Sequence, residues 1–329
     1  YDTTCGNGQV DDGEVCDGNN FVNYGDGVDQ CSFYNPDYLS GDLICSNCQI
    51  IVNDCSECPE VGSGITSGLF GVAQNLNFAD QDYSSYIIEQ KDYSNAIALS
   101  FVYNETGVVV PTVEYLKLSG GYSSVSISLG KNLWKYRNST QRKDLYQKIN
   151  DLTCSEMITS IVVIDEPYLE GFTPIELDDM IEEVRTAFSD KQLIVNFNRR
   201  GFYPDRQGLD APIPSGVDRI GFDLYPCNFY YQGEPVGYDD EVAWKALIIE
   251  MATMLKSKTT APITYVAQGF GKVNCSLTAE NVLWSYEAAE ESNLAGIMFW
   301  FSENQEFSGL RGFSAYPEAK EKIIELGNV

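Results

Sequence analysis

From about residue 64 onward, the sequence alternates short apolar runs with amphipathic stretches, and it does so eight times. That alternation marks a parallel sheet wrapped in helices. The apolar runs are Gly68–Ala73, Ala96–Val102, Ser124–Leu129, Ser160–Ile164, Leu193–Phe197, Arg219–Leu224, Ile263–Ala267 and Gly296–Phe301. Most read as continuous Val, Ile, Leu and Phe, as strands buried on both faces do. Leu177, Met180, Ile181, Val184 and Phe188 recur at helical spacing, and so do Trp244, Leu247, Ile248, Met251 and Leu255. The first of these helices opens with Thr173-Pro174-Ile175-Glu176, a capping box with proline at its first helical position. Eight repeats predict an α/β fold, a (β/α)8 TIM barrel, which usually needs about 250 residues. A doubly wound open sheet is the alternative. It calls for a Gly-rich phosphate loop after the first strand, and the sequence has none there.

The first 60 residues have a different texture, rich in Gly, Asn and Asp and poor in apolar side chains. Such a segment cannot fold on hydrophobic burial alone. Seven of the ten cysteines lie here, at 5, 16, 31, 45, 48, 55 and 58. That density predicts a small, mostly irregular disulfide-rich module made in an oxidising compartment. The run Cys45-x2-Cys48-x6-Cys55-x2-Cys58 has the look of a zinc site. Its central spacer is shorter than zinc modules use, so disulfides are the better reading. Seven cysteines here and three beyond (154, 227 and 275) are both odd numbers. Pairing all ten within the chain would need at least one bridge from module to barrel. The expected division is therefore 1–62 for the module and 63–329 for the barrel. Asp11, Asp12, Glu14 and Asp17 form an acidic turn that could hold calcium, which takes clustered oxygen ligands. An exposed acidic turn with no ion is the plainer alternative.

Charge and composition narrow the function. The 48 acidic and 21 basic residues leave a net charge of −27, which repels phosphate backbones and anionic lipids. Nucleic acid is not an expected partner. No apolar run approaches the roughly 20 residues of a membrane-spanning helix. The chain has no histidine, which excludes Ser-His-Asp and Cys-His catalysis and His-based zinc sites. Acid–base chemistry must then use carboxylates, Lys, Tyr or Cys. The sequons at Asn104, Asn138 and Asn274 agree with a secreted or cell-surface glycoprotein. No leader is in view and the sequence starts close to Cys5, so it reads as a mature form.

Barrel enzymes carry their chemistry at the carboxyl ends of the strands. Strand 4 ends Ile164-Asp165-Glu166-Pro167-Tyr168, and strand 5 ends Asn196-Phe197-Asn198. Strand 6 ends Asp223-Leu224-Tyr225-Pro226, strand 7 ends Ala267-Gln268-Gly269-Phe270-Gly271, and strand 8 ends Trp300-Phe301-Ser302-Glu303. An acidic-Glu-Pro tip, an aromatic-Pro tip, a Phe-Gly tip and a final Trp together resemble clan-A glycoside hydrolases. Separately, Cys5-Gly6-Asn7-Gly8 and Gly13-Glu14-Val15-Cys16-Asp17-Gly18 resemble the C-G-N-G…G-E-x-C-D-G repeats of extracellular proteins, which implies a structural or adhesive accessory.

The clan-A resemblance implies Glu166 as general acid/base and carbohydrate as the partner, with no cofactor required beyond the candidate calcium. Trp300, Tyr225, Tyr168, Asn198 and Gln268 are the expected substrate-binding residues. The alternative for Glu166 is a structural carboxylate bonded to backbone amides. The chain departs from the clan at strand 7, where the nucleophile's place holds Gln268, and an amide cannot form the glycosyl-enzyme ester. Three routes could restore the chemistry. Asp223 or Glu303 could supply the second carboxylate, or Asp165 and Glu166 could act as a pair on a substrate whose own acetamido group attacks. Because adjacent strand residues point to opposite faces, that pair needs an irregular strand end. The competing expectations are a glycan-binding barrel without catalysis and a self-assembling subunit of an extracellular coat or filament. The aromatic stretch from Tyr225 to Tyr231 suits either a glycan cleft or a protein interface.

Overall fold

The computed structural model describes residues 9–10, 14–17, 20–21, 25–26, 31, 35, 38–53, 55–60, 69–74, 87–88, 90–91, 94–100, 103–104, 107–108, 113–198, 212–226, 230–232, 234–269, 276–301 and 315–327. Two compact units divide the chain, Tyr1–Val61 and Gly62–Val329.

In the first unit, short antiparallel strands Cys16–Asp17, Asn20–Phe21 and Gly25–Asp26 form one small sheet, and Ile44–Ser46 pairs with Gln49–Ile51 in another. The apolar centre is slight: Cys16, Phe21, Cys31 and Leu43, with Tyr38, Ile50 and Val52 packed against it. Two of those four buried residues are themselves cross-linked, Cys16 to Cys45 and Cys31 to Cys55. Cys48 and Cys58 are disulfide-bonded as well, so the four-cysteine run is not a thiolate metal site. Of the acidic turn, Asp11 and Asp12 lie outside the described residues. Asp17 is buried at 1% exposure, and Glu14 is half-buried.

The second unit is a closed barrel of eight parallel strands in sequence order. We number them β1 Leu69–Gln74, β2 Ala96–Ser100, β3 Ser124–Ser128, β4 Ser160–Asp165, β5 Gln192–Asn198, β6 Arg219–Asp223, β7 Ile263–Gln268 and β8 Gly296–Phe301. The barrel closes where β8 pairs with β1, from Gly296 opposite Leu69 to Phe301 opposite Gln74. All eight apolar runs are therefore strands, with ends shifted by one or two residues where described. Helix Pro174–Ala187 begins at the expected capping box: Thr173 Oγ1 accepts from Glu176 N, and Thr173 N donates to Glu176 Oε2. No described helix is long and apolar enough to cross a membrane.

The strands are less uniformly apolar than their sequences suggest. On β6, Ile220 and Phe222 are fully buried and face the helices. Arg219, Gly221 and Asp223 alternate with them and face the barrel axis. Ser126 and Ser128 on β3, Asn196 on β5 and Thr264 on β7 also turn inward. The main apolar core therefore lies between sheet and helices, and the small barrel interior mixes these polar groups with Val162, Ile194, Val266 and Met298. Gly221 is part of that design. A Cβ there would sit 1.7 Å from Asn196 Oδ1, so only glycine lets the Asn196 amide lie across the axis.

Candidate active site

The inward face encloses a cavity of about 280 Å3 that opens at the carboxyl ends of the strands. Asp165, Glu166, Asp223, Tyr225 and Trp300 line its upper part. Of the expected site residues, these five come together.

Two backbone features bring Asp165 and Glu166 to the same side. The pairing of β4 with β5 shifts register between Val162 and Ile164, a bulge that resets which residues point inward. Val162 faces the cavity, and so does Asp165 three residues later. The bulged residue Val163 keeps its carbonyl satisfied by Trp134 Nε1 at 2.9 Å. The next residue, Glu166, adopts a left-handed conformation with φ of 50° while its N–H still donates to Asn196 O at 2.9 Å. Left-handed backbone in a residue other than glycine costs about 1–3 kcal/mol and persists only where its surroundings impose it. Its effect here is to point two consecutive carboxylates into one cavity. This is the irregular strand end that an Asp165–Glu166 pair requires.

The carboxylates are close-coupled. Asn198 Nδ2 donates to Glu166 Oε1 at 2.5 Å and to Asp223 Oδ2 at 3.2 Å. Asp223 is 4% exposed and makes its own hydrogen bond to Glu166. Burial, then the charges of Glu166 and Asp165, pushes the Asp223 carboxyl well above the ordinary carboxylate range. Asp165 is exposed into the cavity, whose walls crowd its carboxyl. Burial, followed by the Glu166 charge, pushes it up to about 7, against the opposing pull of an Asn196 hydrogen bond and the Lys131 charge. One wall of the mouth is aromatic: the rings of Tyr225 and Trp300 stack with centroids 6.0 Å apart. Burial, and then the Asp223 charge, holds the Tyr225 hydroxyl well above its usual range, so it remains a proton donor.

The remaining expected residues sit elsewhere. Asn198 is buried behind Glu166 and positions it. Gln268 ends β7 in phase with the inward-facing Thr264 and Val266 and is buried at 1% exposure. Tyr168 turns away from the cavity, donates to Pro212 O at 2.6 Å and packs against Phe197. Glu303 and Asn274 lie outside the described residues. Asn138 is exposed at the start of helix Ser139–Asn150, and its Oδ1 accepts from Gln141 N, which leaves Nδ2 outside the cap. Asn104 lies in the short strand Tyr103–Asn104.

The raised carboxyl of Asp165 has a consequence for stability. Between its ordinary 3.8 and about 7, the folded protein keeps a proton that the unfolded chain has released. The unfolded state binds fewer protons there, so stability falls as pH rises through that window. Asp165→Asn removes this contribution. Thermal melts should show the variant gaining a few degrees over wild type at pH 8 and little at pH 4. An equal gain at both would contradict the protonated assignment.

No family profile matches the chain, and no curated protein matches it in sequence. Solved structures do match. An endo-1,4-β-D-mannanase from Thermotoga petrophila RKU-1, solved with maltose and glycerol, superposes with a TM-score of 0.52 at 14% identity, covering 79% of this chain and 99% of that one. A second endo-β-1,4-mannanase structure from Thermotoga petrophila gives 0.55 at 14% identity, over 80% and 77%. The exo-β-1,4-mannosidase Op5Man5 from Opitutaceae bacterium strain TAV5 gives 0.53 at 12% identity, over 79% of this chain and 59% of that one. In fold, therefore, the chain shares the (β/α)8 barrel of these three enzymes.

Proposed function

We propose that the barrel mouth is a carbohydrate site that cleaves glycosidic bonds of 2-acetamido sugars, with Asp165 and Glu166 working as a pair. The observation that carries this reading is the left-handed Glu166, which turns both carboxylates into one cavity beside Trp300 and Tyr225. Strand 7 offers Gln268 where a nucleophilic carboxylate would stand, and an attacking atom supplied by the substrate fits that amide. In the first step the acetamido carbonyl oxygen bonds to C1 and the glycosidic C1–O bond breaks. The pair carries one proton, held on Asp165 in the free site; as the acetamido N–H comes to donate to Asp165, that proton passes to Glu166. Glu166 then gives it to the leaving oxygen, and Asp165 takes the amide N–H proton, leaving a neutral oxazoline. In the second step Glu166 removes a proton from water as the water oxygen bonds to C1. The oxazoline C–O bond opens, and Asp165 returns its proton to nitrogen. Asp223 and Asn198 hold Glu166 in place. Disulfides and sequons support a secreted or cell-surface location.

A second reading is glycan binding without cleavage, favoured by the amide at position 268 and by the hydrogen bonds that already engage Glu166. Paired aryl glycosides separate the two. The cleaving site should turn over the 2-acetamido substrate at least about 100-fold faster than its 2-hydroxy counterpart, the size of a lost catalytic group. Equal rates would point to a nucleophile on the protein. Binding of both with turnover of neither would establish the second reading.

A further inference from the structure

The cavity does not end at the carboxylates. Barrel interiors are normally filled by layers of branched apolar side chains. Here Val162, Ile194, Val266 and Met298 supply part of such a layer, but Ala98, Ser126, Gly221 and Thr264 are too small to complete it, and the cavity they line also reaches Arg219. Arg219 and Asp223 face inward from the same strand, four residues or about 13 Å apart. A guanidinium offers five N–H donors. In Arg219, Nη1 donates to Thr264 Oγ1 at 2.9 Å, while Nε is buried with no partner. Among the described residues no carboxylate pairs with it. Arg219 is half-buried, so its charge is partly withdrawn from water without a counter-charge, and an anion in the same cavity offsets that cost. The neighbouring donors suit an anion too: Thr264 and Ser126 line the cavity, and Ser126 shares a 2.6 Å hydrogen bond with Ser160. The three carboxylates above favour a single negative charge over a double one.

We propose that Arg219 forms an anion site on the floor of the barrel, taking one compact monovalent anion, either a free halide or the carboxylate of a small ligand. Anion binding at Arg219 stands or falls separately from sugar chemistry at the mouth. The test uses the full chain in gluconate buffer, with bromide and acetate added in separate arms and the Arg219→Met variant alongside. Crystals soaked in bromide should show an anomalous peak at hydrogen-bond distance from the guanidinium, absent from Arg219→Met. The same anion at about ten times its Kd should raise the wild-type melting midpoint by about 2–4 °C and leave the variant unmoved. Acetate density with no bromide peak would assign the carboxylate source, and the reverse would assign the halide. Equal stabilisation of wild type and variant, or no anion at Arg219 in either arm, would overturn the proposal. If Arg219→Met fails to fold, the wild-type crystals and an Arg219→Lys variant decide between the same outcomes.

Discussion

Glu166→Gln should lower turnover of a 2-acetamido glycoside by about 100- to 10,000-fold, the usual contribution of a positioned general acid. The substitution keeps the side chain's length and an oxygen to accept from Asn198 Nδ2, so the hydrogen bond at 2.5 Å has a replacement. It removes only the ability to give and take a proton. KM should therefore move far less than kcat, and the melting midpoint should stay within a few degrees of wild type. A purely structural Glu166 predicts the opposite pattern: a lowered midpoint, with residual activity proportional to the folded fraction. Steady-state kinetics and a thermal melt on one preparation distinguish the two. The left-handed backbone at Glu166 sharpens the expectation, because Gln tolerates that conformation no worse than Glu. A loss of activity at unchanged stability would thus be chemical in origin.

The second large effect belongs to the cysteine-rich unit. Replacing Cys16 and Cys45 together with Ser should unfold residues 1–61 at room temperature. Loss of a native disulfide from a small domain costs about 2–5 kcal/mol. Among the described residues, the apolar centre of this unit holds four buried residues, two of them half-cystines, and cannot absorb such a loss. Limited proteolysis should then cut the variant within residues 1–61 at protease levels that leave wild type intact. Equal resistance in both would mean that something other than the Cys16–Cys45 bond holds the unit together.

The strands were legible because burial between sheet and helices demands apolar side chains at every second position, as Ile220 and Phe222 show on β6. Their inward partners were legible only in part. Read with a period of two, Arg219-Ile220-Gly221-Phe222-Asp223 already separates a polar face from an apolar one, as does Ser124-Val125-Ser126-Ile127-Ser128. Taken as apolar runs, these segments hide the polar axis and with it Arg219. The strand ends placed Asp165, Glu166 and Asp223 at the barrel top, since position at the end of a barrel strand is a property of sequence order. What no spacing rule could supply is the common orientation of Asp165 and Glu166. It depends on a bulge stabilised by Trp134, 29 residues upstream of Val163, and on one left-handed residue. Gln268 and Tyr168 illustrate the converse. Tyr168 follows the end of β4, yet its packing on Phe197 and its bond to Pro212 O turn it away from the cavity, while Gln268, in phase with the inward Thr264 and Val266, is buried at 1% exposure.

The most direct test of the carbohydrate site is a crystal structure of the Glu166→Gln protein soaked with a β-1,4-linked 2-acetamido oligosaccharide. The account predicts an uncleaved sugar in the mouth, one ring against Trp300 and the acetamido N–H donating to Asp165. Saturating soaks that leave the mouth without sugar, or that place it with the acetamido group away from Asp165, would contradict it.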